Sequence, residues 1–171
     1  MATLTISLGQ HSDKGRKPSN QDFYGAYLPN ESLRATKGIA IALADGISSS
    51  AVSREASEAA VGGFLTDYYA TPATWAVKTS AQATNAWLYA QTRQSQYRYD
   101  LDRGYVCTLS AMVIKSTTAH LFHVGDSRIY QLAGNSLEPL TEDHRFWSSR
   151  EVSHLSRAMG ASQHLELDYR A

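Results

Sequence analysis

Apolar and polar positions alternate with two different periods along this chain, and the switches between them mark out its elements. Leu4, Ile6 and Leu8 alternate with Thr and Ser, which predicts a half-buried strand over Thr3 to Gly9. The polar stretch from His11 to Asp22 contains Gly15, Pro18 and Asn20 and reads as a loop. Phe23 to Leu28 predicts a second strand, ended by Pro29-Asn30, and residues 31–37 read as a polar turn. Gly38 to Ala44 is then a short run of small and apolar residues, the pattern of a buried strand, and it leads directly into Asp45-Gly46. Beyond it Val52, Ala56, Ala59, Ala60, Phe64 and Tyr68 recur at helical spacing. They predict a helix from about Ala51 to Tyr69, with Ser48, Ser49 and Ser50 as N-cap candidates and Pro72 as its breaker. Thr74 caps a predicted second helix over about 75–96, with Val77, Ala81, Thr84 and Leu88 inward.

The stretch from Gln94 to Gly104 is polar and reads as a loop, after which the period falls back to two. Cys107 to Ile114, Ala119 to Val124 and Arg128 to Leu132 predict three closely spaced strands, joined by turns at Lys115-Ser116-Thr117 and Gly125-Asp126-Ser127. Leu137 to Leu140 adds a short strand, and Ser149 to Met159 reads as a last helix stopped by Gly160. Strands, then two long helices, then a meander predict an α+β layered fold of antiparallel sheets with helices packed outside.

Composition narrows the setting. With 171 residues, 43% of them hydrophobic, the chain can bury the core of one domain. Sixteen basic residues balance sixteen acidic ones, so nothing global points to nucleic acid or an anionic membrane. Cys107 is the only cysteine, which excludes an intrachain disulfide and suits a reducing compartment. The opening Met1-Ala-Thr-Leu-Thr-Ile carries no basic segment before a long apolar one, so no signal peptide is expected, and no apolar run approaches the roughly 20 residues that cross a bilayer. A cytoplasmic location is the expectation.

Three carboxylates share one context, a turn beside an apolar strand: Asp22 in Ser-Asn-Gln-Asp-Phe, Asp45 in Leu-Ala-Asp-Gly, and Asp126 in His-Val-Gly-Asp-Ser-Arg. A carboxylate at the end of a buried strand is costly unless paired, and a hard divalent cation with oxygen ligands is one partner. Gly46 would let a backbone carbonyl approach the same ion. A plain turn aspartate capping its own loop accounts for Asp45 equally well at this level. The histidines do not fall at zinc-ligand spacing, and no Gly-rich phosphate loop is present. His123 reads as a structural histidine within a strand, and His144 as a loop or surface residue.

Taken in order, Asn20-Gln21-Asp22, Ala44-Asp45-Gly46, Thr108-Leu109-Ser110-Ala111, Val124-Gly125-Asp126-Ser127-Arg128-Ile129-Tyr130 and Leu140-Thr141-Glu142-Asp143-His144 resemble the metal-dependent protein serine/threonine phosphatases of type 2C, and their bacterial branch most. Five motifs in the right order make this specific, and the likeness runs from residue 4 to about 170. It implies an αββα sandwich of two antiparallel sheets with outer helices. It also implies in-line hydrolysis of phosphoserine and phosphothreonine by water that two divalent ions, manganese or magnesium, make acidic. On this resemblance Asp45 bridges both ions, Gly46 lends its carbonyl and Asp22, beside Gln21, holds metal-bound water, so Asp22 and Asp45 are the catalytic candidates. Asp126 matches a ligand of a weaker third ion, with bracing of its hairpin turn as the other reading. The implied partners are a phosphoprotein substrate and a cognate Ser/Thr kinase.

Several positions depart from the family pattern. Gln21 stands where many members have Glu. Lys17, with Arg16 beside it, stands where an Arg commonly meets the substrate phosphate, and lysine lacks the bidentate fork. Ser48-Ser49 replace the usual glycines, and Val106-Cys107-Thr108-Leu109 replaces Gly-Thr-Thr-Leu. The family's two further metal-binding aspartates, in Asp-Gly and Asp-Asn motifs, have no match after Ala161, and Glu166 and Asp168 read as a polar tail. The expectation is therefore a single incomplete phosphatase-type domain over 1–171, truncated at its C-terminus, weakly active by itself and prone to self-association through open strand edges. The alternative is a non-catalytic pseudophosphatase fragment that binds a phosphoprotein or a kinase.

Overall fold

The computed structural model describes residues 4–72, 77–149 and 153–171. Among these residues three α-helices, α1 (Glu31–Lys37), α2 (Ser53–Ala70) and α3 (Val77–Gln94), accompany nine strands. Five of these, β1 (Asp22–Tyr27), β2 (Ile39–Asp45), β3 (Leu109–Lys115), β4 (Thr118–Val124) and β9 (Asp168–Arg170), form an antiparallel sheet in the order β1-β2-β3-β4-β9. The remaining four make two-stranded ribbons, β5 (Tyr130–Ala133) with β6 (Ser136–Pro139) and β7 (Arg145–Trp147) with β8 (Ser153–Leu155). The α+β class, the antiparallel sheets and the outer helices are those the sequence predicts.

Register explains which face is covered. Ala40, Ala42 and Ala44 of β2 share a face with Leu109, Ala111 and Val113 of β3, and all six are buried. Small alanines there admit a helix at close range, and α2 lies against β1 and β2 with Ala56, Ala60, Phe64 and Tyr68 buried at four-residue spacing. α3 packs on α2 through Val77, Ala81, Thr84 and Leu88, the inward set expected. Each large apolar side chain buried here contributes about 1.5–3 kcal/mol. Lys37, also buried, donates from Nζ to the Tyr68 carbonyl at 2.5 Å and lies 4.5 Å over the Tyr68 ring. A cation is thus placed at the C-terminal end of α2, where the helix dipole favours it.

The opposite face carries the polar row. Tyr24, Leu43, Ser110, His123 and Asp168 stand side by side across the five strands, with Asp22 and Asp45 two residues further along β1 and β2.

Four expectations need correction. Residues 4–9 form no strand: a strand needs a partner, and none pairs with them among the described residues, although the Leu4 carbonyl accepts from Arg34. Residues 31–37 are not a turn but α1, whose first turn is capped by Asn30 Oδ1 accepting from Leu33 N at 3.0 Å. No helix spans the described residues of 149–159. Instead Ser153–Leu155 is β8, and Met159 exchanges two backbone hydrogen bonds with Cys107, at 2.8 and 3.2 Å, which recruits this backbone to the end of β3. Asp168 is not in a free tail, since it begins β9, while Glu166 stays exposed just before that strand. Thr3, Thr74 and residues 150–152 lie outside the described residues.

Candidate active site

Asp45 is the last residue of β2 and Asp22 the first of β1, and the register sets them directly opposite each other. Opposed side chains on one face approach to about 5 Å between Cβ atoms, so two like charges are held together. The backbone around Asp45 is fixed from three sides. Its amide donates to Thr108 Oγ1 at 2.9 Å, its carbonyl accepts from the Thr108 amide at 2.8 Å, and Thr108 Oγ1 reaches Ser127 Oγ at 2.8 Å. Gly46 donates to the Gln21 carbonyl at 3.1 Å, and Gln21 donates from Nε2 to Ser53 Oγ at 2.6 Å. A Cβ on Gly46 would stand 2.5 Å from the Ser53 carbonyl oxygen, so only glycine fits between β2 and the start of α2. The serine run caps differently from expectation. Val52 is the N-cap of α2 without a side-chain bond, while Ser50 Oγ accepts from the Val52 amide and donates to the carbonyls of Arg103 and Gly104.

Electrostatically the pair is under-compensated. Asp45 Oδ1 is buried and has no hydrogen-bond partner among the described residues. Burial first, then the hydrogen bond and charge of Asp22 and the charge of Asp126, raise the Asp45 carboxyl to about 6. Lys17 opposes them. Asp45 opens onto a cleft of about 880 Å³ whose wall includes Lys17, Gly46, Thr108, Asp126, Arg145 and Phe146. Arg16 is exposed and does not line it. Asp126 follows Gly125, whose φ of +109° and contact with Thr108 demand glycine, and its Oδ2 lies 3.2 Å from Arg145 Nη1. The structure therefore brings Asp22 and Asp45 together, with Gly46, Lys17 and Asp126 around the same cleft. It leaves Arg16 apart.

A second polar cluster escaped the sequence reading. His144 is buried rather than on the surface. Its Nδ1 accepts from the Gly125 amide at 3.1 Å and its Nε2 donates to Asp168 Oδ2 at 2.8 Å. Arg157 donates to the other Asp168 oxygen at 2.8 Å. His123 is structural, as expected: Nε2 donates to the carbonyls of Gly125 and Glu142, and Nδ1 accepts from Ser110 Oγ at 2.9 Å. Burial and the neighbouring His144 lower its pKa, so it stays neutral. The missed signal for Asp168 was the alternation of Leu165, Leu167 and Tyr169, which marks a strand.

An orphaned carboxylate oxygen, a second carboxylate facing it and a glycine beside an open cleft suit a hard, oxygen-seeking cation. Among the described residues no third His, Cys, Asp or Glu completes a tight ligand group with them.

Fold and site together define a layered α+β domain with two opposed carboxylates at one end of an antiparallel sheet. The chain belongs to the protein phosphatase 2C family, whose family model matches residues 10–169. That family comprises protein serine/threonine phosphatases, generally metal-dependent. Solved structures of the same fold include Stp1 from Staphylococcus aureus, a serine/threonine phosphatase, with TM-score 0.77 and 16% identity over 99% of this chain and 74% of that one. PstP/Ppp from Mycobacterium tuberculosis, a serine/threonine phosphatase, gives 0.70 and 22% over 94% of this chain and 70% of that one. PppA of Pseudomonas aeruginosa, described as a key regulatory component of T6SS, gives 0.68 and 21% over 94% and 68%. No curated protein sequence matches the chain. No helix among the described residues is long and apolar enough to cross a membrane.

Proposed function

We propose that residues 1–171 form a phosphatase-type domain that hydrolyses phosphoserine and phosphothreonine in proteins with divalent cations, manganese or magnesium, held at Asp22, Asp45 and Gly46. The observation that carries this reading is the Asp22–Asp45 pair, with one Asp45 oxygen buried and unbonded. Two opposed carboxylates that Lys17 only partly offsets leave an acidic pair that a divalent ion would relieve. When bound, such ions supply Lewis acidity and an acidified water nucleophile. The chain's own part is positional. Thr108 and Gly46 fix the backbone that aims Asp45, and Asp22 stands across from it on the next strand. Lys17 places a positive charge on the cleft wall, suited to the phosphate of a phosphoprotein, with Arg16 next to it in sequence. Asp126 would hold a further ion in competition with Arg145. With two carboxylates directly together and the third ion-paired, we expect slow turnover by this chain. A cognate kinase and self-association along the outer edge of β1 or β9 belong to the same reading.

The test is p-nitrophenyl phosphate hydrolysis by the 171-residue chain in millimolar manganese, with and without excess chelator. Slow hydrolysis that the chelator and Asp45→Ala both abolish is expected. Hydrolysis indifferent to both would overturn the reading. Manganese binding without any hydrolysis would favour the non-catalytic, phosphoprotein-binding alternative.

A further inference from the structure

Arg145 lines the cleft, and neither the motifs nor the fold assigns it a role. It is the first residue of β7, directly after buried His144, whose amide donates to the Gly125 carbonyl at 2.8 Å. That bond anchors the start of the ribbon beside the Gly125-Asp126 turn. Arg145 therefore projects into the cleft from a fixed root, and its Nη1 lies 3.2 Å from Asp126 Oδ2. The pair is partly solvated, with side-chain exposures of 40% and 24%, so it is weak enough to exchange partners. The Arg145 guanidinium is held by charge, on Asp126 and more remotely Asp143, and it carries five donors in a planar fork. Phe146 and His154, stacked at 5.3 Å, stand beside it on the same wall.

An ion arriving at Asp126 would compete with Arg145 for the same carboxylate, and repulsion between the two cations would loosen this fork. A freed guanidinium at the mouth of the cleft matches the charge and geometry of a phosphate dianion better than Lys17, which acts as a point charge. Resting on the function proposed above, we propose that Arg145 is the guanidinium that receives the substrate phosphate, held on Asp126 until a divalent cation takes that carboxylate over.

The experiment is isothermal titration of the wild-type chain, Arg145→Lys and Arg145→Ala, first with manganese and then, in saturating manganese, with inorganic phosphate. Arg145→Ala should bind manganese more tightly, because the competitor is gone, and bind phosphate about tenfold more weakly, the worth of one charge-assisted contact. Arg145→Lys should fall between the two in phosphate affinity. Phosphate affinity unchanged in Arg145→Ala would overturn the proposal whatever happens to manganese, and would leave the phosphatase reading standing. Absence of both manganese and phosphate binding in the wild type would overturn that reading, and this assignment with it.

Discussion

Asp168 and Asp45 lie on the same face of the same sheet, on β9 and β2, yet their charges are met in opposite ways. Asp168 faces His144 at 2.8 Å and Arg157 at 2.8 Å. Burial works against its charge, but the bonds from His144 and Arg157 outweigh it and hold the carboxyl below its ordinary value. Asp45 faces another carboxylate, and burial together with Asp22 drives it up to about 6. The first is a finished structural brace, tying β9 through His144 to the Gly125 amide. The second is an acidic centre that Lys17 only partly offsets. The contrast shows how a site can be separated from scaffold: the scaffold carboxylate has partners within the chain, while the site carboxylate has them withheld.

The largest effect should come from breaking the brace. His144→Ala removes the acceptor of the buried Gly125 amide and one partner of Asp168, and should lower the unfolding free energy by about 2 kcal/mol. Urea unfolding measures it, and a loss under about 0.5 kcal/mol would show that the two ends are less different than their partners suggest.

The next effect concerns pH. Because the Asp45 carboxyl is raised to about 6, a cation bound there must displace a proton below that value. Manganese affinity should be flat above about pH 6.5 and fall by up to tenfold per pH unit below about 6. Affinity independent of pH down to 4.5 would mean that Asp45 is not the carboxylate engaged.

The smallest effect is on the ion-free fold. A carboxyl whose folded value is raised binds its proton more tightly when folded, so the chain gains nothing from Asp45 ionisation. Stability falls as pH rises from about 4 to about 6 and then levels off. Asp45→Asn escapes that loss, and in excess chelator at pH 7 its melting temperature should exceed wild type by about 2 °C, a modest figure because the group is partly solvated. The two proteins should converge near pH 4. A lower melting temperature for the variant at pH 7 would show that the carboxylate is satisfied after all.

What could be read from the sequence divides along physical lines. The helices α2 and α3 were legible because Ala56, Ala60, Phe64 and Ala81, Leu88 repeat over many turns, and β2 because seven small or apolar residues end abruptly at Asp45. Three-residue strands such as β7, β8 and β9 carry too little pattern to be seen, and their existence depends on the partner, as Met159 pairing with Cys107 shows. The alternating segment at residues 4–9 misleads for the converse reason: the pattern is there, but no strand among the described residues pairs with it. At the site, Asp22, Asp45, Gly46 and Asp126 announced themselves as turn residues beside apolar runs. Arg145, His144 and Asp168 did not, because their contacts arise only when the 125 turn, the 144 loop and β9 meet in space.

The central claim is that Asp45 is a charge centre awaiting a cation, and manganese titration calorimetry at pH 7 on the wild-type chain and Asp45→Ala tests it most directly. The account predicts at least one saturable manganese site in the wild type and no measurable binding in the variant. Equal affinity in the two would contradict it.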